Sequence, residues 1–297
     1  MSIIKVEEIS KFYGTVVGVK DLSLIVEKGE IFGFLGPNGA GKTTTIRLLM
    51  QLLYPNNGRI FLFDNLIDRK LIIHREKIGH LPGEFSPYRN MNGSQFLNYM
   101  AKYRSSRPQL REHLLQKFHF TEKNLDQKIK NLSHGNRQKL GIVFALEHNP
   151  ELAILDEPTI GLDPLMQEAF YEILTELQQN GKTIFLSSHN LPEIEKICHR
   201  VAIIREGNLV ALETIENLKK KRPRRLILTT PIKKYSEPPI LPGTRLVEQA
   251  DNRYTYLIDG EIHHVIQSLA KLTIEDILFP EPDLEDIFLT YYQKTNQ

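Results

Sequence analysis

Apolar and polar residues alternate in short runs at the start of the chain, the spacing of strands rather than helices. Residues 3–9 read as one strand, and in 22–26 Leu22, Leu24 and Val26 share a face. After a turn at Glu27-Lys28-Gly29-Glu30, residues 31–35 are almost wholly apolar, as in a strand covered on both sides. The period then lengthens. Ile46, Leu49, Met50 and Leu53 line one face of a helix predicted over 43–53, which Tyr54-Pro55-Asn56-Asn57-Gly58 stops. A strand follows at 59–63. Residues 94–148 read as mainly helical, with Phe96, Leu97 and Met100 in one stripe and Leu110, Leu114 and Leu115 in another. Strands at 152–155, 183–186 and 201–204 then alternate with helices at 165–177 and 191–198, which predicts an α/β core with parallel strands.

Beyond about residue 216 the texture changes. Lys219-Lys220-Lys221-Arg222 with Arg224 and Arg225 forms a basic run, and prolines 231, 238, 239 and 242 follow closely. Short strands at 226–229 and 254–258 and helices near 262–270 and 283–292 suggest a small α+β appendage. The expected division is 1–217 and 218–297. The basic run reads as a solvated linker.

Composition narrows the classes. The 297 residues include 41% hydrophobic and 25% charged ones, a balance that suits a packed core and argues against a disordered or disulfide-built chain. Thirty-eight basic and 36 acidic side chains give a net charge of +2. That gives no general pull toward a polyanion, and the basic run lacks interleaved aromatics, so no nucleic-acid partner is expected. The single cysteine, Cys198, cannot form an internal disulfide and fits a reducing compartment. Acids near the start argue against a signal peptide. No apolar run reaches the roughly 18–20 residues that span a bilayer, so the chain is not expected to form a pore itself.

The chemistry begins at Gly36-Pro37-Asn38-Gly39-Ala40-Gly41-Lys42-Thr43-Thr44. It matches G-x-x-x-x-G-K-[ST] between a predicted strand and helix, the setting in which backbone amides and a helix N-terminus converge on phosphates. Lys42 is expected to reach the β- and γ-phosphates, and Thr43 to place its hydroxyl on Mg²⁺. Residues 152–155 lead into Asp156-Glu157-Pro158. Ligands of open α/β sheets bind beyond the carboxyl ends of strands, so Asp156 is expected to hold Mg²⁺. Glu157, biased toward an extended backbone by Pro158, is expected to hold its carboxylate near an attacking water. His189 follows the strand at 183–186 and could donate to the γ-phosphate. Behind it, Asn190-Leu191-Pro192-Glu193 reads as a capping box. Ser133 is a good N-cap for the helix running to about Leu146, and Gly135 leaves that helix start open to an anion. On its own this stretch reads as an ordinary capped helix.

In order along the chain, these segments resemble the ATP-binding cassette (ABC) family over roughly residues 3–220. The match comprises the phosphate loop at 36–43, a signature segment at 132–136, the strand and acidic pair at 152–157, Gly161-Leu162-Asp163 as D-loop and His189 as switch. Lys11-Phe12-Tyr13-Gly14 resembles the adenine-stacking segment, with Tyr13 offering its ring; alone, Tyr13 reads as a packed core aromatic. The resemblance implies a P-loop NTPase (RecA-like) core and an N-terminal antiparallel β subdomain. It also implies a helical subdomain at about 84–150 carrying the signature. Two cassettes are expected to close head to tail as a homodimer or heterodimer. Ser133, Gly135 and Asn136 then face the ATP held by the partner, and Asp163 lies at the junction. ATP and Mg²⁺ are the implied cofactors, Glu157, His189 and Lys42 the implied catalytic residues. A separately encoded permease is the implied partner, placing the protein peripherally on the cytoplasmic face of the membrane.

Two departures matter. The usual signature is Leu-Ser-Gly-Gly-Gln, but here His134 and Asn136 stand at its third and fifth positions, a variant that resembles those of single-cassette exporters of drugs, peptides or polysaccharides. Where the family commonly has a glutamine that touches Mg²⁺ and water, Ile78-Gly79-His80-Leu81-Pro82-Gly83-Glu84 presents Gly83. Glu84 is the candidate to take over part of that role. Residues 282–289 resemble a closing segment of exporter cassettes. A soluble ABC ATPase acting on ribosomes or DNA and a nucleotide-gated regulator remain alternatives to the exporter subunit; a GTPase is not expected, since no Asn-Lys-x-Asp segment occurs.

Overall fold

Two long strands, β1 (Ser2–Tyr13) and β2 (Val16–Glu27), open the chain as an antiparallel hairpin. Leu22, Leu24 and Val26 are buried on its inner face while Ser23 and Ile25 are exposed, as the alternation predicts. The ladder runs past the predicted strand ends because polar residues inside it satisfy one another. Ser10, 1% exposed, donates to Asp21 Oδ1 at 2.9 Å and accepts from the Asp21 amide at 2.9 Å. The computed structural model describes residues 1–67, 75–104, 107–220, 224–232 and 237–280, and the chain divides into two units, Met1–Ile215 and Glu216–Gln297.

In the first unit β3 (Ile31–Leu35) leads to α1 (Lys42–Leu49), then β4 (Asn57–Leu62), β5 (Asn65–Leu66) and β6 (Ile78–Leu81). α1 stops short of the predicted residue 53. Gln51 turns left-handed (φ 55°), and the amides of Leu52 and Leu53 bond back to the Arg47 carbonyl at 2.8 and 3.1 Å, a helix-ending arrangement. The predicted helical stretch resolves into α2 (Gly93–Ala101), α3 (Arg111–Lys117), α4 (Glu122–Asp126) and α5 (His134–Leu146). Asn92 with Gln95 and Thr121 with Asn124 form capping boxes at α2 and α4, satisfying helix-end amides that would otherwise lack partners.

β7 (Leu152–Asp156), α6 (Pro164–Gln179), β8 (Thr183–Ser188), α7 (Leu191–Ile197), β9 (Arg200–Arg205) and β10 (Asn208–Thr214) complete the unit. Two sheets result. β2-β1-β4-β5 is antiparallel, while in β10-β9-β3-β8-β7-β6 all neighbours are parallel except β10 with β9. Every residue of β3, β7 and β8 is buried, the expected state of parallel strands covered on both faces. Phe32 and Phe34 pack against Phe185 with ring centroids 5.8 and 5.5 Å away. Because β3, β7 and β8 run side by side in one direction, the segments that follow them emerge at one edge. That places the phosphate loop, the acidic pair and His189 together.

α8 (Ile215–Lys220) precedes the sheet of the second unit, β11 (Arg224–Thr229), β12 (Thr244–Ala250), β13 (Arg253–Ile258) and β14 (Asp276–Leu278), with α9 (Ile262–Leu269). The antiparallel order is β12-β13-β11-β14. Leu226, Leu228, Tyr254, Tyr256 and Ile258 pack with Val265 and Leu269 of the helix. β12 and β14 carry no buried residue, so neither shows the one-sided alternation that identifies a strand. The helix predicted near 283–292 and the 282–289 segment lie outside the described residues.

Candidate nucleotide site

The loop after β3 is shaped by contacts that only glycine permits. A Cβ on Gly36 would stand 2.3 Å from the Ile204 carbonyl oxygen, and one on Gly41 2.3 Å from that of Gly18. Gly41 also has φ 106°, a backbone conformation L side chains rarely adopt. Between them Pro37 accepts the Ala40 amide at 3.2 Å, while Asn38 and Gly39 are exposed. No side chain caps the start of α1. Its first amides are thereby free for an anion, as phosphate loops require.

Lys42 begins that helix and is only 6% exposed. Its Nζ donates to the carbonyls of Gly36 at 2.7 Å and Pro37 at 3.1 Å and pairs with Glu157 Oε1 at 3.1 Å. The other oxygen of Glu157 meets His189 Nδ1 at 2.8 Å. A carboxylate only accepts, so in this pair Nδ1 carries the proton. Lysine, glutamate and histidine from three separate segments thus form one chain of contacts.

Thr43 Oγ1 donates to Asp156 Oδ2 at 2.8 Å, and Ser187 Oγ donates to Asp156 Oδ1 at 2.5 Å. Thr43, Asp156, Glu157, Gly83, Glu84 and His80 line a cleft of about 440 Å³. A Cβ at Gly83 would stand 3.0 Å from Asp156 Oδ2, so the segment passes close over the metal-binding candidate. His80 has a buried Nδ1 with no hydrogen-bond partner among the described residues. Burial lowers its pKa to about 4 despite the opposing charge of Asp156, so the ring is neutral near pH 7. Among the described residues no group of three or more His, Cys, Asp and Glu could hold a metal. The hydroxyl–carboxylate pair suits Mg²⁺ that takes its other ligands from phosphates and water.

Tyr13 is 44% exposed, which excludes a packed core role; its hydroxyl lies 3.5 Å from Thr44 Oγ1 and Lys11 sits over its ring. Ser133 caps α5 by accepting the Asn136 amide at 3.2 Å, as the sequence predicts. The space above Gly135 is closed by the Gly161 carbonyl, whose oxygen would lie 2.7 Å from a Cβ added there, and His134 lies over Gly161 itself. Asp163 caps α6 through the Met166 amide at 3.1 Å. Signature and D-loop segments are therefore neighbours.

Two local expectations fail. Glu157 is not extended: its φ is 49°. Its amide donates to both the carbonyl and the hydroxyl of Ser187, at 3.2 and 3.1 Å, so the residue keeps its place beside β8 while its backbone departs from the conformation that Pro158 favours. Asn190 and Glu193 form no capping box. The Asn190 amide goes to Ser188 Oγ at 2.9 Å, and that hydroxyl donates to the buried Glu193 carboxylate at 2.6 Å. Burial, with Glu157 nearby, raises the Glu193 pKa. Sequence reasoning also misses Gln138, 5% exposed, whose amide nitrogen donates to the Pro158 carbonyl at 2.8 Å and ties α5 to the loop after Glu157.

The family described as ABC transporter matches residues 19–160. Over 219 residues the chain is 35% identical to the linearmycin resistance ATP-binding protein LnrL of Bacillus subtilis (strain 168), covering 72% of this chain and 70% of that one. The chain belongs to the ABC transporter family. This cassette is also 36% identical over 220 residues to the bacitracin transport ATP-binding protein BcrA of Enterococcus faecalis, covering 74% and 71% of the two chains. A solved ATP-binding subunit of an ABC transporter superposes with a TM-score of 0.68 at 28% identity, over 74% of this cassette and 93% of that chain. The protein is an ATP-binding ABC ATPase subunit. No helix among its described residues is long and apolar enough to cross a membrane.

Proposed function

We propose that the chain powers export through a separately encoded membrane permease, closing on ATP as a head-to-tail dimer of two cassettes. The observation that carries this reading is the convergence on Glu157, whose carboxylate joins Lys42 at 3.1 Å and His189 at 2.8 Å beside the Thr43–Asp156 pair. On this reading the loop amides of residues 36–44 grip the phosphates, and Tyr13 receives the base. Lys42 exchanges its carbonyl partners for the β- and γ-phosphates. Glu157, once released from Lys42, accepts a proton from the attacking water. His189 faces Glu157 through Nδ1 and turns Nε2 to the γ-phosphate, to which it donates when that nitrogen carries a proton as well.

Thr43 and Asp156 would hold Mg²⁺, whose chemistry here is to neutralise phosphate charge. Glu84, exposed in the same cleft, supplies a carboxylate next to Gly83, which stands where the family's glutamine would, and takes over part of its role. Unchanged ATPase rate and Mg²⁺ dependence in Glu84→Ala would remove that assignment. Ser133 caps a helix whose first turn holds Gly135 and Asn136 and lies against Gly161, and these three residues serve the ATP of the second cassette. Asp163 sits at that junction. The cassettes are two copies of this chain or this chain and a second one, and the permease holds them at the cytoplasmic face. Export as the direction is supported by the relatives named for resistance to linearmycin and transport of bacitracin.

The test is Glu157→Gln. It is expected to lower phosphate release by about 10²–10⁴-fold, the usual worth of a general base, while ATP accumulates a stable dimer. A hydrolysis-deficient variant that stays monomeric with ATP, with or without the permease, would defeat the shared-site reading.

A further inference from the structure

A buried hydroxyl unassigned by sequence reasoning lies between the two acids. Ser187 is 0% exposed and sits directly opposite Asp156 in the β7–β8 register. A serine hydroxyl has one proton to give. Here it goes to Asp156 Oδ1 at 2.5 Å, while the oxygen accepts the Glu157 amide at 3.1 Å. The same amide reaches the Ser187 carbonyl at 3.2 Å. One residue therefore bonds both the Asp156 carboxylate and the peptide amide that leads into Glu157, whose backbone is left-handed at φ 49°.

The two acids need different things. Asp156 must keep Oδ2 toward Thr43, which it meets at 2.8 Å. A carboxylate turns freely about its last bond unless both oxygens are engaged. Ser187 occupies Oδ1, and Oδ2 is thereby directed at Thr43. Glu157 must hold its side chain between Lys42 and His189 from a backbone that non-glycine residues rarely adopt. Its amide is held by Ser187 through two acceptors, which fixes the plane of the peptide bond from which the Glu157 side chain departs. Alanine at 187 would leave Oδ1 without its donor in the sheet interior and the Glu157 amide with one acceptor.

We propose that Ser187 is a positioning residue for the hydrolytic site, setting the metal-holding orientation of Asp156 and holding the peptide amide of Glu157 through one hydroxyl. This rests on the assignment of Asp156 to Mg²⁺ and Glu157 to the water.

Threonine and valine have the same shape and differ only in hydroxyl against methyl, so comparing Ser187→Thr with Ser187→Val separates hydrogen bonding from packing. Affinity for ADP is measured by calorimetry with Mg²⁺ and with EDTA, and ATP turnover alongside. Ser187→Thr is expected to keep the Mg²⁺-dependent gain in ADP affinity and the wild-type kcat. Ser187→Val is expected to lose that gain by about ten- to a hundredfold, the usual worth of a hydrogen bond to a charged group, and to fall in kcat with little change in EDTA affinity. Asp156→Asn is the control for the underlying assignment. If it leaves the Mg²⁺ gain intact, the metal assignment fails. If it abolishes the gain while Ser187→Val and Ser187→Thr behave alike, the Ser187 proposal fails and the assignment stands.

Discussion

Arg111→Met is expected to weaken the helical layer that carries the signature helix. Glu147, 0% exposed, follows the last residue of α5 and accepts from Arg111 Nε at 2.7 Å, with Arg104 Nη1 at 3.4 Å. Arg111 begins α3 and also donates to Asn98 Oδ1 at 2.6 Å and the Leu97 carbonyl at 3.0 Å, both on α2. Three helices are therefore joined through one guanidinium. Burial raises the Glu147 pKa although both arginines act against it, so the carboxylate depends on its partners for charge. Breaking a buried pair costs about 3–5 kcal/mol. Arg104 remains, which puts the expected loss at the low end, about 3 kcal/mol near pH 7.

The pH dependence follows from the sign of the shift. Without Arg111 the folded-state pKa of Glu147 rises further, so the folded chain holds a proton that the unfolded chain has released. Stability of the variant then increases, relative to wild type, as pH falls toward the ordinary carboxyl value of about 4.5. Urea unfolding followed by circular dichroism at several pH values measures both effects. Arg111→Met with Glu147→Met should recover most of the loss, since an apolar pair can replace a buried ionic one. A single-variant loss below about 1 kcal/mol, or a double variant no more stable than the single, would refute the reasoning.

Gly41→Ala should abolish nucleotide binding, because φ 106° and the 2.3 Å approach to the Gly18 carbonyl cannot both survive a Cβ; ADP affinity within about threefold of wild type would count against this. His148, 4% exposed and joined to the Ile78 carbonyl at 3.3 Å, has its pKa lowered to about 4 by burial. Its unfolded form takes up a proton first on acidification, so it costs stability progressively from about pH 6.5 down to about 4, roughly 2 kcal/mol by pH 5. His148→Gln should remove that slope, and parallel stability curves for the two proteins would contradict the assignment.

The parts of the site that were legible in the sequence are those whose chemistry is written in consecutive residues. The phosphate loop declares itself because its glycines, lysine and threonine must follow one strand and open one helix. The Ser133 cap depends on the amide three residues on, and the buried strands on unbroken apolar runs. Ser187 and Gln138 reach partners 31 and 20 residues away, and which partners they meet depends on how the sheet and α5 come together. Even the short-range Asn190–Glu193 box failed for a related reason, since Ser188 at the buried end of β8 competes for both groups.

Glu157 departs from a local preference beside such a contact. A proline after it favours an extended backbone, yet its φ is 49°, at a residue whose amide is held by two acceptors on Ser187. If the hold were only a consequence of the turn, Ser187→Val would leave catalysis and metal dependence unaltered. If the hold positions the peptide that leads into Glu157, removing the hydroxyl changes both, because the atom that binds the Glu157 amide also aims Asp156. The reactive geometry is then a property of β7 and β8 lying in register, with Asp156 opposite Ser187. A sequence shows the two acids side by side; only the pairing of those strands turns one toward Thr43 and the other toward Lys42 and His189.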